Sequence, residues 1–143
     1  MRLFVYIFLM FCACNAFSEA IIISHNMLQS YEKNGNILTG IATPSLGAQQ
    51  SEIWNSSIAI GSQTLKHKHN VEEIVILLAG ELEVVVEDKT SKCEAPCSII
   101  LPANKYHVLK NTGTIPTQHY LVMPAKSGIH DEIGNELNLP WRR

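Results

Sequence analysis

The amino-acid sequence predicts a single all-β domain, and three observations support this prediction. The chain has 143 residues, of which 46% are hydrophobic and 17% charged, proportions that fit one compact core rather than two domains or a disordered chain. From Ile37 onward, short apolar runs are separated by Gly, Pro, Asn and Asp, which is typical of a sandwich or barrel of short strands. Leu82, Val84 and Val86 share one face of such a run while glutamates occupy the other, as in a strand with one wet face.

The first twenty residues have the layout of a secretory signal peptide. Arg2 supplies one positive charge, residues 3–11 are apolar, and small residues follow. The apolar run is shorter than the ~20 residues needed to span a bilayer. Cleavage after Ala16 or Ala20 satisfies the preference for small residues, and we favour Ala16, so that residues 1–16 form the signal peptide. We therefore expect an exported protein, periplasmic or secreted, that has no membrane partner after cleavage.

The four cysteines fall into two pairs. Cys12 and Cys14 follow the apolar run, as a lipidated cysteine does, but the residues just ahead of them are too bulky for that motif. Export permits a disulfide between Cys93 and Cys97, and two free thiols near a turn are the alternative. A single C-x3-C pair lacks the second pair of ligands that a closed zinc site requires.

The candidate strands are separated by the Gly, Pro, Asn and Asp residues described above. They are residues 58–60, 73–79, 82–86, 98–101, 107–109 and 119–123. Residues 74–79 are apolar at every position, which favours a strand covered on both faces, because the run is short and rich in β-branched residues. Gly80 and the Asp88-Lys89 pair are the turns that fold these strands into a meander.

The strongest chemical signal is the His-x-His pair at His67 and His69. Side chains two positions apart on a strand point the same way, so both imidazoles face one side. A turn after this pair brings the Glu73 carboxylate alongside, whereas Glu72 would point to the opposite face. His107 opens a later strand and can reach the same ion from a neighbouring position. The sequence thus predicts a four-ligand metal site.

This donor set limits both the metal and the partner. Three imidazoles and one carboxylate suit one divalent transition metal (Fe, Mn, Ni, Cu or Zn) and do not suit Ca or Mg, which prefer oxygen ligands. Four protein ligands leave one or two positions open for a substrate oxygen, water or dioxygen. A net charge of −2 gives no reason to expect nucleic acid as a partner. We therefore expect a small-molecule substrate.

These residues resemble the first motif of the cupin superfamily, G-x5-H-x-H-x3-E-x6-G. This sequence matches every fixed position of that motif, a specific likeness. The matching residues are Gly61, His67, His69, Glu73 and Gly80.

The second cupin motif, G-x5-P-x-G-x2-H-x3-N, is met in part. Pro102, His107 and Asn111 match, whereas Pro96 and Asn104 replace the two glycines. Asn tolerates the left-handed conformation that a turn glycine supplies, so the second replacement is mild. Proline cannot take a positive φ, so the turn at Pro96 must be built differently.

The resemblance implies a single-domain jelly-roll β-barrel, which follows the predicted signal peptide. The barrel then occupies residues 51–124, with an N-terminal arm or strand at residues 17–50. Residues 125–143 form a C-terminal tail, in which Trp141 can dock on the barrel. The resemblance also implies a homodimer and a metal held by His67, His69, Glu73 and His107.

Function is predicted from the open metal site. The leading hypothesis is a metal-dependent oxidoreductase, a dioxygenase or oxidase, that acts on a small oxygenated molecule. The alternatives are a non-catalytic module that binds a metal or small molecule, and a cupin lyase or isomerase. A structural or storage role is a further class, in which replacing His67 and His69 would leave function intact.

One residue near the last candidate strand can also face the interior. His119 shares its parity with Leu121 and Met123, and Tyr120 shares its parity with Val122. Periodicity alone does not decide which of the two points inward, so neither is assigned to the site.

Overall fold

The structure is a computed structural model that describes residues 19–142. The predicted signal peptide, with Cys12 and Cys14, lies outside the described residues. The strands, in chain order, are β1 (Tyr31–Lys33), β2 (Asn36–Ala42), β3 (Ser51–Ile58), β4 (His67–His69), β5 (Glu73–Ala79), β6 (Glu81–Val86), β7 (Lys89–Glu94), β8 (Cys97–Leu101), β9 (His107–Asn111), β10 (Gln118–Pro124) and β11 (Ile129–Asp131). Short 3-10 turns cover His25–Met27, Pro44–Leu46 and Pro140–Arg142. Within residues 19–142, none of these turns has the length or apolar character of a membrane-spanning helix.

The strands form two antiparallel sheets. One has the order β1-β2-β3-β10-β5-β8, and the other has the order β11-β4-β9-β6-β7. Buried side chains from both sheets, including Val75, Leu77, Leu82 and Leu109, form one core cluster. The prediction of an all-β fold is confirmed, and two antiparallel sheets are the arrangement expected of a jelly roll.

The alternation of buried and less buried side chains in β6 is as predicted, whereas the burial of β5 differs from the prediction. Leu82 and Val84 are buried and lie on one face of β6. In β5, Val75 and Leu77 are buried, but Leu78 is 49% exposed. The expectation that both faces of β5 are covered is therefore wrong for the described chain. The second sheet covers only the inner face, and the outer apolar face, with Ile100 of β8 beside it, stays open.

The segment before residue 51 extends the first sheet. β1 and β2 form a hairpin whose turn, Asn34 and Gly35, has positive φ at both residues, as such tight turns require. β2 pairs with β3, which runs over Ser51–Ile58, so the strand predicted at residues 58–60 begins earlier and ends at its first residue. This hairpin lies close to the functional site because Tyr31 and Leu38 line the internal cavity.

The C-terminal segment packs back onto the sheets. β11 pairs with β4, placing Ile129 opposite His69. The ring of Trp141 meets that of Trp54 edge-on, with 5.5 Å between centroids. Trp141 thus docks as the sequence suggested, and the tail forms part of the walls around the site.

Candidate metal centre

Three short strands bring the four predicted ligands together. His67 and His69 are the ends of β4, and Glu73 is the first residue of β5 after a three-residue turn. His67 pairs in register with His107, the first residue of β9. The His67 and His69 rings lie on one side of β4 with 5.1 Å between centroids. Each ligand therefore sits at a strand end, held by backbone pairing.

The side chains converge on a common point. One potential ligand atom from each of the four residues lies within 4.8 Å of the others. Two ligands at 2.0–2.2 Å from a single ion are at most ~4.4 Å apart, so this group needs to contract by only a few tenths of an ångström. His69, Glu73 and His107 are buried, whereas His67 is half-buried.

Unpartnered polar atoms at this point test whether a metal fits. Glu73 Oε2 lies 3.2 Å from His69 Nε2 and 3.3 Å from His107 Nε2. None of these three buried atoms makes a hydrogen bond within residues 19–142. Leaving one such group unsatisfied costs about 1–3 kcal/mol. A cation shared by the three atoms would satisfy all of them at once, so the residues fit a metal.

Backbone carbonyls orient two of the imidazoles. His67 Nδ1 lies 2.7 Å from the carbonyl oxygen of Leu65, and His107 Nδ1 lies 3.1 Å from that of Lys105. A carbonyl only accepts, so each Nδ1 carries the proton and donates it. The Nε2 lone pair of each ring is then free to bind a metal.

The electrostatics favour the protonation states that a metal requires. Burial and the neighbouring His107 lower the pKa of His67 to about 4, so this ring is neutral near pH 7. Burial alone would raise the pKa of Glu73, but the His107 and His69 rings beside it outweigh that effect and hold the pKa below its usual value. A neutral His67 ring and an ionised Glu73 carboxylate are ligand forms that a transition-metal site uses.

The cluster borders an internal cavity of about 160 Å³. His67 and Glu73 contribute to its wall. Most of the remaining buried or half-buried wall is apolar: Leu38, Trp54, Leu109, Leu121, Ile129, Leu137 and Leu139. The exposed residues Lys33, Asn34 and Asn138 mark its outer end. A bound metal would therefore face a space that admits a small, mainly apolar molecule.

The two departures from the second motif have structural solutions. Asn104 takes φ +61° in the turn before β9, and its N–H donates to the carbonyl of His69. This bond ties the His107 turn to β4. At Pro96, the Ala95–Pro96 peptide is cis, and Cys93 and Cys97 are joined in a disulfide. The alternative of two free thiols is thus not the one that the structure adopts.

His119 is the site residue that sequence reasoning left unassigned. It is 1% exposed and lines the cavity with His67 and Glu73, whereas Tyr120 on the other face is half-buried. The sequence signal for its inward position was the strand parity that His119 shares with Leu121 and Met123, which are both buried. Glu72, the rejected competitor for the carboxylate role, is exposed.

Comparisons with known proteins identify the family. Residues 55–123 match the sequence model of the family described as "Cupin domain". The "Auxin-binding protein T85" of Nicotiana tabacum is 27% identical over 137 residues, which cover 85% of this chain and 73% of that protein.

Two solved structures are similar in fold. The polyketide cyclase RemF from Streptomyces resistomycificus superposes with a TM-score of 0.67 at 13% identity, covering 87% of this chain and 90% of that one. An oxalate oxidase superposes with a TM-score of 0.67 at 17% identity, covering 81% of this chain and 66% of that one. At these identities the likeness shows the fold alone. The matched cupin-domain region at residues 55–123 places the chain in the cupin superfamily, and the two solved structures share its fold.

Proposed function

We propose that this chain binds one divalent transition metal through His67, His69, Glu73 and His107 and acts as a metal-dependent oxidoreductase, a dioxygenase or oxidase. The observation that carries the proposal is the convergence of these four side chains beside the apolar cavity. The substrate is a small oxygenated molecule that enters this cavity.

A metal in this shell supplies Lewis-acid and redox chemistry. The chain's own residues prepare the space in which it acts. His67 and Glu73 reach the cavity wall, so a molecule in the cavity comes next to the ligand shell. Trp54, Leu109 and Leu121 line the same space with mainly apolar surface. A substrate that displaces water from this wall would make stronger electrostatic contacts.

Oxygen consumption tests the oxidative activity. Purified chain loaded with Fe(II) or Mn(II) is offered phenolic compounds and organic acids, and oxygen uptake is recorded with each. We expect uptake with the wild type and with Glu72→Gln, and none with Glu73→Gln. Turnover that continues unchanged without oxygen would exclude an oxidase or dioxygenase and would favour a lyase or isomerase.

A second candidate function is non-catalytic binding of a small molecule. The tobacco relative that covers most of this chain is named for binding auxin, which favours this alternative. Saturable binding of a ligand to the metal-loaded chain, with no product formed, would support it over catalysis.

Export and homodimer formation remain predictions. Sequencing the N-terminus of protein recovered from the periplasm or medium tests cleavage after Ala16. Analytical ultracentrifugation of the mature chain tests the dimer.

A further inference from the structure

His119 stands apart from the metal cluster in the same cavity. It lies on β10 and is 1% exposed, and its Nε2 hydrogen-bonds to none of residues 19–142. Because His119 lines the cavity, an occupant of that space can reach the ring. A buried nitrogen without a partner costs about 1–3 kcal/mol, so the position calls for a ligand group.

A hydrogen bond donated by Thr117 would set which nitrogen of His119 carries the proton. The Thr117 hydroxyl is buried and accepts the N–H of Ile58 at 2.9 Å. Its own proton also needs an acceptor, and His119 Nδ1 lies 3.3 Å away. When the hydroxyl donates to Nδ1, the ring carries its proton on Nε2. His119 therefore presents an N–H donor, and a protonated ring would do the same.

The strand register separates His119 from the metal centre. His119 pairs with Leu77 of β5, four residues beyond Glu73. Four residues of strand correspond to roughly 13 Å between Cα atoms, part of which the side chains bridge. The register of β10 against β5 shifts between Gln118 and His119, a type of irregularity that often re-aims side chains near functional sites. A molecule touching both points must extend well beyond two carbon atoms.

The cavity wall is mainly apolar, with Ser56 and Thr64 among its polar members, and the cavity is of limited size. Leu109 and Leu121 line the cavity and offer no polar side-chain atom. Cavities of about 150 Å³ hold one benzene-sized ring, close to the volume found here. A divalent metal with one carboxylate ligand keeps a net positive charge, so an anionic group is its natural complement.

From these observations we infer that the cavity takes a single-ring aromatic carboxylate with an acceptor oxygen at the end opposite the carboxylate. The carboxylate lies at the metal centre, the ring packs between the leucines, and His119 Nε2–H donates to the far oxygen. His119 is thus a positioning residue that selects the ligand. The inference rests on the proposed metal site and adds the class of molecule recognised there.

A matched pair of probes tests this recognition. 4-Acetylbenzoate has a carbonyl acceptor opposite its carboxylate, and 4-isopropylbenzoate has the same shape without one. Calorimetry on the full chain loaded with redox-inactive Zn²⁺ measures both affinities without turnover. One hydrogen bond to a buried donor is worth about 0.5–1.5 kcal/mol, so we expect the acetyl compound to bind about 3- to 10-fold more tightly.

Two variants assign the preference to His119. His119→Leu removes the donor, so the two probes should bind equally while zinc content stays at the wild-type level. His119→Gln keeps an N–H at the end of the side chain and should retain part of the preference. If His119→Leu fails to fold, the wild-type ratio and His119→Gln still decide the question.

The failures of the two proposals are distinguishable. Wild-type protein that binds no zinc would remove the proposed metal function. Wild-type protein that binds zinc but binds the two probes equally, or neither, would overturn the inference and leave the metal site standing. Imidazole ¹⁵N shifts give an independent readout: His119 should show the Nε2–H tautomer and respond to 4-acetylbenzoate more strongly than to 4-isopropylbenzoate. A ring protonated only at Nδ1 would contradict the assignment.

Discussion

Two buried carboxylates differ in what surrounds their charge. Glu52 on β3 is 0% exposed, and Glu73 on β5 is 3% exposed. Glu52 Oε1 accepts from the Arg142 guanidinium, and Oε2 accepts from Trp54 Nε1 at 3.1 Å. Glu73 Oε2 instead faces imidazole nitrogens of His69 and His107. The first carboxylate has a permanent cation from its own chain, and the second has only rings that are charged when protonated.

This difference separates a structural charge pair from a site for an added cation. A buried carboxylate beside a guanidinium is neutralised by the fold itself. The Glu73 cluster has the geometry of ligands but lacks a fixed positive charge among residues 19–142. A metal would supply that charge, so we assign function to Glu73 and stability to Glu52.

The largest expected effect is on stability, from breaking the Glu52 pair. Arg142→Ala leaves Glu52 buried without its cation, and such a change costs about 3–5 kcal/mol. Urea unfolding of the metal-free chain measures this loss in the free energy of unfolding. Zinc affinity of the folded variant should stay within about twofold of wild type. A loss below about 1 kcal/mol, or a parallel loss of zinc affinity, would contradict the separation of the two carboxylates.

The second-largest expected effect is a loss of zinc affinity, from replacing the carboxylate of Glu73. Glu73→Gln keeps the side-chain shape but removes the charged ligand, and we expect zinc affinity to fall more than ~100-fold, since even residues that only support a ligand contribute 10- to 100-fold. Competition titration with a chromophoric chelator measures it. Glu72→Gln, at the adjacent exposed residue, is the matched control and should bind zinc like wild type. Equal affinities for the two variants would mean that Glu73 is not a ligand.

The third expected effect is the part of the pH dependence of folding stability that comes from His119. Burial lowers the pKa of His119 to about 4, while the charge of Glu73 opposes this shift. In the unfolded chain His119 has a pKa near 6.5, so as the pH falls it takes up its proton at a higher pH than in the folded state. The folded state loses stability between pH 6.5 and pH 4.

Comparison with His119→Gln makes this loss measurable. From pH 7 to pH 5 the metal-free wild type should lose about 2 kcal/mol more of its free energy of unfolding than the variant does. The other titrating groups contribute to both proteins and cancel in the difference. Parallel pH profiles would show that His119 is not held neutral by burial.

The smallest effect is expected at an exposed ion pair. Lys66 Nζ lies 2.7 Å from Glu132 Oε1, and both side chains are largely exposed. Exposed pairs contribute little to stability, so Lys66→Ala should leave the free energy of unfolding close to the wild-type value. Urea unfolding beside Arg142→Ala gives the direct contrast, and a loss as large as that of Arg142→Ala would show that exposure does not decide the cost.

Much of the cluster could be predicted from sequence because its ligands obey local rules. His67 and His69 share a face through the two-residue period of a strand, and Glu73 follows at the start of the next strand. The turn residue Asn104 was expected to tolerate a positive φ, and it does. Strands with an apolar inner face, such as β6, were predicted for the same reason.

The remainder depends on contacts that no local pattern encodes. β7 (Lys89–Glu94) is a largely exposed edge strand without an apolar face, so its sequence resembles a loop. The Glu52–Arg142 pair joins residues 90 positions apart. The role of His119 depends on a cavity assembled from both sheets and the C-terminal tail.

Anomalous diffraction at the zinc edge, from crystals of the mature chain grown with Zn²⁺, shows directly whether the four side chains bind one metal. We expect one peak per chain, within about 2.0–2.2 Å of a nitrogen from each of His67, His69 and His107 and of a Glu73 carboxylate oxygen. A peak elsewhere with these four side chains unligated, or the absence of a peak at this position, would contradict it.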